Sequence, residues 1–342
     1  MQPTDTPRVV FAGEHGAFAE DAVLAAFLAP EAVPVAGFRD VFEAVAAGRV
    51  AGAGGAGGVG AAGRAGSAGR VAGRVGGAGG GRAAPVVAGV LPIENVAAGT
   101  VREVYDLLLE HELAIAAEVI VPVRLCLAAL PGEELASIER VYSHVQALGQ
   151  ADAFLRSRPW TLLASYNTAG AGRLIAERHE RGSAAVLSPR AAALFGLSVL
   201  ADDIQGTAAN RTRFLVLVRP PAEEDEAPVP RLPAGALRPE WLRFDAEPPL
   251  GEVPMRTTLA LSVRNEPGSL HRCLGVFASA GLNMSKLESR PSRAGDWEYV
   301  FWIDLDADVR SAATRVALAE LDGMAAMVRI LGCYPRGEEP AA

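Results

Sequence analysis

The stretch Gln205-Gly206-Thr207-Ala208-Ala209-Asn210-Arg211-Thr212-Arg213-Phe214-Leu215-Val216-Leu217-Val218 decides the fold. A polar, glycine-containing turn gives way to an apolar run, which reads as a strand entered from a loop. It ends a long alternation of strands and helices. Strand Arg8–Gly13 leads to helix Ala17–Phe27, strand Val33–Phe38 to helix Asp40–Ala47, and strand Val86–Pro92 to a helix opened by a Thr100–Glu103 capping box. Val101, Val104, Tyr105 and Leu108 give that helix its i, i+3, i+4, i+7 stripe. A long strand-like stretch, 114–130, is followed by strand Arg140–Ser143, helix Gln146–Leu155, strand Leu162–Ser165 and helix Thr168–Glu177. Strand Ala184–Leu187, helix Pro189–Phe195 and strand Val199–Ala201 continue the series into the quoted stretch. Such alternation predicts an α/β fold.

Beyond it the pattern changes. Residues 220–254 are rich in Pro, Glu and Asp, a linker composition. Then come strand Thr257–Val263, helix Gly268–Ser279, strand Asn283–Glu288, turn Ser292–Asp296, strand Glu298–Leu305, helix Val309–Leu321 and strand Met327–Leu331. The order βαββαβ is ferredoxin-like. The chain therefore divides into an α/β domain (1–219), a linker (220–254) and a small second domain (255–336), as its 342 residues allow.

Residues 48–84 are built almost wholly from Gly, Ala, Val and Arg and bury too little side chain to offset their ordering entropy, so a flexible insert is expected. The insert contains a literal GxGxxG, Gly52-Ala53-Gly54-Gly55-Ala56-Gly57. A dinucleotide fingerprint needs a strand before it and a helix after it; here a helix precedes and more glycine follows, so it is read as chance.

The net charge of −8 and the lack of a Lys/Arg block argue against nucleic acid as a partner. No apolar run reaches the ~18 residues of a membrane span, and no secretory leader is evident, so no membrane partner is expected. Cys126, Cys273 and Cys333 are far apart and odd in number, which fits buried thiols in a reducing cytoplasm. No zinc-type Cys/His spacing exists, and neither metal nor organic cofactor is expected.

Pro92-Ile93-Glu94-Asn95, Ser143-His144-Val145-Gln146, Thr212-Arg213-Phe214 and Glu288-Ser289-Arg290-Pro291 occur in order. Together they resemble prephenate dehydratase, which makes phenylpyruvate on the way to phenylalanine. The resemblance covers nearly all of the chain outside the insert and the linker. It implies two α/β lobes of periplasmic-binding-protein type flanking a cleft, with the strand bearing Thr212 returning to the first lobe. The downstream unit resembles an ACT domain, a small-molecule sensor. That implies phenylalanine bound as feedback inhibitor between paired ACT domains of a homodimer or homotetramer.

Prephenate carries two carboxylates and a ring hydroxyl. Losing CO2 and water makes the ring aromatic, so the driving force lies in the substrate. The protein must orient the ring and place a proton donor beside the departing hydroxyl. The resemblance makes Thr212 the catalytic hydroxyl, better suited to positioned donation than to acting as a free acid. It assigns substrate binding to Glu94, Asn95, Gly99, Thr100, Ser143, Gln146, Thr168, Asn210 and Arg213. Gly99 and Thr100 offer helix-start N–H groups for an anion. Arg213, alternating to the opposite face from Thr212, either braces the site or holds a carboxylate. The loop Gly13-Glu14-His15-Gly16-Ala17-Phe18-Ala19 is either an anion-binding backbone or a turn. The effector would meet Asn265, Pro267, Gly268, Ser269, Leu270, Asn283, Met284, Glu288, Ser289 and Arg290.

Three positions depart from the family. Val96 stands where serine is usual, Val145 where proline is usual, and Ala17 where some members have threonine. A lost hydrogen bond to a charged group costs ~1.5–3 kcal/mol, so Val96 implies reduced rather than abolished activity. The alternatives are an arogenate dehydratase, a catalytically weak phenylalanine-binding regulator and, less well matched, a binding protein of the two-lobed type.

Overall fold

The computed structural model describes residues 6–50, 85–206, 210–220, 242–243, 248, 250–292 and 299–338. The insert beyond residue 50 with its GxGxxG, most of the 220–254 linker, and the turn past Ser292 lie outside the described residues.

The first lobe comprises β1 (Arg8–Ala12), α1 (Phe18–Ala26), β2 (Glu31–Val35), α2 (Phe38–Ala47), β3 (Val86–Asn95), β4 (Gly99–Thr100), α3 (Arg102–Glu110) and β5 (Ala114–Pro122). The second holds β6 (Cys126–Ala129), β7 (Arg140–Ser143), α4 (Val145–Gln150), α5 (Asp152–Leu155), β8 (Thr161–Ala164), α6 (Thr168–Arg178), β9 (Ser183–Leu187), α7 (Pro189–Leu194) and β10 (Ser198–Ala201). Strand β11 (Arg211–Val218) then returns to the first sheet, whose order is β2-β1-β3-β11-β5. The second sheet runs β10-β6-β9-β7-β8.

Alternation explains the layering of the first sheet. Val9 and Phe11 face α1, while Val10 faces α2 and α3. A Cβ on Gly89 would meet methyl groups of Val41 and Val45 at 2.6 and 2.8 Å, so glycine lets α2 seat directly on β3.

The 114–130 stretch is two strands rather than one. β5 and β6 belong to different sheets, and the chain crosses between lobes in the three residues that separate them. It returns beside itself, with Val123 N–H bonded to Asn210 O at 2.8 Å and Ile204 N–H to Leu125 O at 2.9 Å. The helix read from Gln146 to Leu155 is likewise broken into α4 and α5 around Ala151.

The C-terminal unit is β12 (Met255–Ser262), α8 (Ser269–Ser279), β13 (Met284–Pro291), β14 (Tyr299–Leu305), α9 (Ala312–Met324) and β15 (Met327–Pro335), in sheet order β13-β14-β12-β15. Leu259, Leu261, Ile303 and Leu305 are buried in a core shared with Cys273, Phe277 and Leu321 of the two helices. Arg256, Thr258, Trp302 and Asp304 alternate to the other face, which docks on the first lobe. There Trp302 meets the ring of Tyr105 edge-on at 4.7 Å. A Cβ on Gly332 would collide with the Ile115 carbonyl oxygen, so glycine lets β15 cross β5 closely.

Candidate active site between the lobes

The end of β3 lies antiparallel beside the start of β11, pairing Asn95 with Thr212 and Glu94 with Arg213. Because side chains alternate, these two pairs lie on opposite faces of the sheet.

On one face Asn95 is the hub. Its Oδ1 accepts the Ala97 and Ala98 N–H groups at 3.0 and 2.8 Å, which fixes the orientation of its amide. Its Nδ2 then donates to Asn210 Oδ1 at 3.0 Å and Thr212 Oγ1 at 2.9 Å, with a longer share to Arg211 O at 3.2 Å. Two consequences follow. Thr212 Oγ1 uses a lone pair on Asn95, so its own O–H is left to donate elsewhere. Asn210 must turn its Nδ2 away from Asn95, and that buried donor has no partner among the described residues. Leaving such a group unpaired costs about 1–3 kcal/mol, which an acceptor arriving in the cleft would recover.

Asn210 borders a cavity of about 540 Å³. Ala97 and Ala98 line it from the first lobe, Gln146, Gly149, Gln150, Asp152 and Ala153 from the second, and Gln205 and Gly206 from the crossing segment. Gln146 is held at the start of α4, whose N-cap is His144, with Nδ1 accepting the Gln146 N–H at 3.3 Å. Among the described residues of this lining Asp152 is the one carboxylate, and it pairs with Arg156 at 2.7 Å.

On the opposite face the sheet is charged. Arg213 pairs with Asp304 at 2.7 Å, Glu118 at 3.3 Å and Glu94 at 3.6 Å. Burial opposes its charge, but Asp304, Tyr334 and Glu118 outweigh burial and hold its pKa above the ordinary arginine value. Arg256 reaches Glu118 at 2.7 Å, and Lys286 reaches Glu94 at 2.9 Å. Of the two readings of Arg213, the geometry corresponds to a brace.

Other residues singled out from sequence are placed as follows. Ser143 is fully buried and donates to Val186 O at 2.6 Å, inside the second lobe. Thr168 opens α6, with Asn167 as its cap. Gly99 and Thr100 form β4 rather than a helix start; the cap of α3 is Val101, with no side-chain bond. The Thr100 hydroxyl donates instead to Glu288 of the C-terminal unit at 2.6 Å, which replaces the capping box. Arg290 pairs with Asp106 at 3.1 Å, and Asn283 bonds Asp306 at 2.9 Å. Asn265, Pro267 and Gly268 are exposed in the loop before α8, Ser289 is exposed on β13, Ser269 is buried, and Leu270 and Met284 are half-buried. Gly268 has φ +78°, a left-handed conformation that glycine adopts without strain.

The glycine loop after β1 ties the lobes together. Glu14 receives Arg173 Nε at 2.7 Å and Nη2 at 2.9 Å, and Tyr166 O–H also bonds it. The Gly16 N–H is occupied by Glu20 at 2.7 Å, and Ser188 Oγ donates to Gly16 O at 3.1 Å. Arg190 reaches Glu20 at 2.6 Å. The loop was singled out from sequence as an anion-binding backbone or a turn, but its partners Tyr166, Arg173, Ser188 and Arg190 were not, nor were Lys286, Glu118, Asp304 and Arg256. The readable trace of the last three is a charge inside an otherwise apolar strand.

A family model for prephenate dehydratase matches residues 82–222, and one for the ACT domain matches residues 257–322. The Arabidopsis thaliana protein named arogenate dehydratase/prephenate dehydratase 1, chloroplastic, is 32% identical over 96% of this chain and 72% of its own length. The chain belongs to the prephenate/arogenate dehydratase family. It is accordingly an enzyme of a carbon–oxygen lyase family, with an ACT domain after its dehydratase region. Among solved structures, prephenate dehydratase from Arthrobacter aurescens in complex with L-Phe superposes with a TM-score of 0.72 at 26% identity, covering 98% of this chain and 92% of that one. A protein described as GqqA, a novel type of quorum quenching acylase, gives 0.73 at 27% identity, covering 97% and 98%. The Arthrobacter structure and the ACT match support the expectation of an α/β region followed by a ferredoxin-like ACT unit.

Proposed function

We propose that this dehydratase acts on prephenate, releasing CO2 and water to form phenylpyruvate, and that phenylalanine bound at the ACT domain suppresses it. The observation that carries the chemistry is the Asn95 hub. It aims two donors away from itself, the Thr212 hydroxyl and Asn210 Nδ2, the latter beside a cavity of a size for a small ring compound. A donor held beside the departing hydroxyl stabilises the charge that develops on that oxygen, without having to reorganise during the reaction. Gln146 and Asn210 Nδ2 are positioned to orient a carboxylate, while Ala97 and Ala98, whose N–H groups are taken by Asn95, shape the wall. Glu94, Thr100 and Arg213 act behind the site in this reading, and Ser143 supports the second lobe.

Arogenate, with an amine in place of the keto group, is the second substrate considered. Asp152 in the cavity lining favours it, since a carboxylate suits the amine, and among the described residues no Arg or Lys lines the cavity. The Arabidopsis relative carries both substrates in its name.

The effector reading rests on the exposed Asn265–Gly268 loop and the exposed Ser289 on the edge strand β13. Pairing of ACT domains into a homodimer or homotetramer belongs to this proposal, as do the boundaries 1–219, 220–254 and 255–336. Three free, buried cysteines suit a reducing compartment such as the cytoplasm. Among the described residues no helix is long and apolar enough to cross a membrane.

The test is phenylpyruvate formation by the purified protein, with and without phenylalanine, repeated with arogenate. Turnover of prephenate that phenylalanine suppresses supports the reading. Turnover of arogenate alone moves the assignment to the second substrate, and turnover of neither overturns it.

A further inference from the structure

Strand β13 is two-faced. Ser285, Leu287 and Ser289 are exposed, whereas Lys286, Glu288 and Arg290 point into the first lobe. Those three make a ladder of contacts with successive elements of that lobe. Lys286 Nζ meets Glu94 of β3 at 2.9 Å, Glu288 accepts from Thr100 of β4 at 2.6 Å, and Arg290 pairs with Asp106 of α3 at 3.1 Å. Lys286 is enclosed, with its ammonium 5.6 Å from the Tyr105 ring and 3.7 Å from Glu288. Its partner Glu94 is bonded in the chain to Asn95, whose amide sets the hydrogen bonds of Thr212 and Asn210.

We propose that Lys286 is a positioning residue that carries the state of the effector strand to the reaction centre, through Glu94 to Asn95. This rests on the reading of the Asn95–Thr212 cluster as the reaction centre. Packed strands pass on small displacements because their contacts exist in discrete arrangements. The ladder fixes both the register and the tilt of β13 against β3. A ligand on the exposed side of β13 that shifts the strand must pull Lys286 from Glu94 or drag Glu94 with it. Among the described residues the Glu94 side chain then keeps Arg213, at 3.6 Å, and the end of β3, still paired with β11 and β4, loses the tie that sets its rotation against the C-terminal unit. Rotation there misdirects the Asn95 amide and with it the Thr212 hydroxyl. Charge-assisted contacts in partly buried surroundings are strong enough to impose such a geometry.

The experiment compares the full chain with Lys286→Met and Lys286→Arg by three readouts: turnover against phenylalanine concentration, calorimetric binding of phenylalanine, and hydrogen exchange over residues 93–101. In the native protein, saturating phenylalanine is expected to suppress turnover by about tenfold or more, within the usual range of allosteric coupling. It should also change exchange across 93–101. Lys286→Met, in which the contact is already broken, should start at a turnover lowered toward that of the inhibited native protein, still bind phenylalanine, change little further at saturation and lose the exchange response. Lys286→Arg, which keeps the charge, should restore turnover and both responses. The inference is overturned if Lys286→Met is inhibited like the native protein, or if its 93–101 segment responds unchanged. It is also overturned if the native segment does not respond to bound phenylalanine. Failure of the catalytic reading is separately visible, because absent native turnover leaves binding and exchange to be read on their own.

Discussion

The two faces of the β3–β11 strand pair are built from alternate residues of the same two strands and do opposite things. On the cleft side, Asn95, Asn210 and Thr212 form a small neutral cluster of amides and a hydroxyl, buried but with donors to spare. On the ACT side, Glu94 and Arg213 join Glu118, Asp304, Arg256 and Lys286 in a charged network. A site that must pass a proton and hold anions needs unsatisfied donors. A domain interface that must keep one geometry needs its charges matched, since breaking a buried pair costs far more than an exposed one. Strand alternation puts the two tasks one residue apart, so the sensor's dock is the back wall of the cleft.

Substitutions on the two faces should therefore fail in different ways. Thr212→Ala removes the donor and is expected to lower kcat by about 10²–10³, the usual consequence of losing one such group, while calorimetric binding of phenylalanine is kept. Equal kcat in the variant would remove Thr212 from the chemistry. Arg213→Met leaves Asp304 buried without its cation, while Glu118 keeps Arg256, and should cost about 3–5 kcal/mol of stability by denaturant melts. A variant that melts like the native protein but binds substrate poorly would instead place Arg213 in contact with substrate. Gly332→Ala adds a Cβ against the Ile115 carbonyl and should cost about 1–3 kcal/mol, with the midpoint of thermal unfolding lowered and the KM for substrate little changed.

The smallest effect concerns the clamp between the lobes, which depends on acid. Arg173 donates to Glu14 and holds its carboxyl below the ordinary 4.5, against the opposing effect of burial. Burial also raises Glu20, but Arg190, the Gly16 N–H and His15 outweigh it and leave that group lowered too. A carboxyl lowered on folding contributes stability that is fully present above its unfolded value and is lost as pH falls through its folded value. Unfolding midpoints should therefore drop below about pH 4.5, and Glu14→Gln should flatten part of that drop. A pH profile unchanged in Glu14→Gln would mean that the clamp carries no acid dependence.

Much of this was legible in the sequence, for reasons that can be named. Strand and helix periodicity gave the α/β alternation and the βαββαβ unit, because local hydrophobic pattern reports burial. The alternation of Arg213 away from Thr212 followed from strand geometry alone. What could not be read was pairing at a distance. Thr100 looks like a cap because Glu103 follows it at the right spacing, but its hydroxyl is taken by Glu288, 188 residues away. Glu288 and Arg290 look like effector ligands within their motif, yet they bond Thr100 and Asp106, because alternate residues of β13 face the lobe. The 114–130 stretch reads as one strand because nothing local marks the point where the chain leaves one sheet for another. Glu118 and Asp304, charges inside apolar strands, are the trace of the interface that a sequence does carry.

The most direct test of the account is the turnover of Asn95→Asp on prephenate. The aspartate keeps the acceptor for Ala97 and Ala98 N–H but replaces the amide donor with a second acceptor, so the Thr212 hydroxyl turns toward it and away from the cleft. The expected result is a fall in kcat of about 10² or more, in line with loss of a positioned donor, in a variant still folded by circular dichroism, its thermal midpoint lowered because the new oxygen faces the Arg211 carbonyl. Native kcat in Asn95→Asp would contradict the claim that Asn95 sets the direction of the Thr212 hydroxyl.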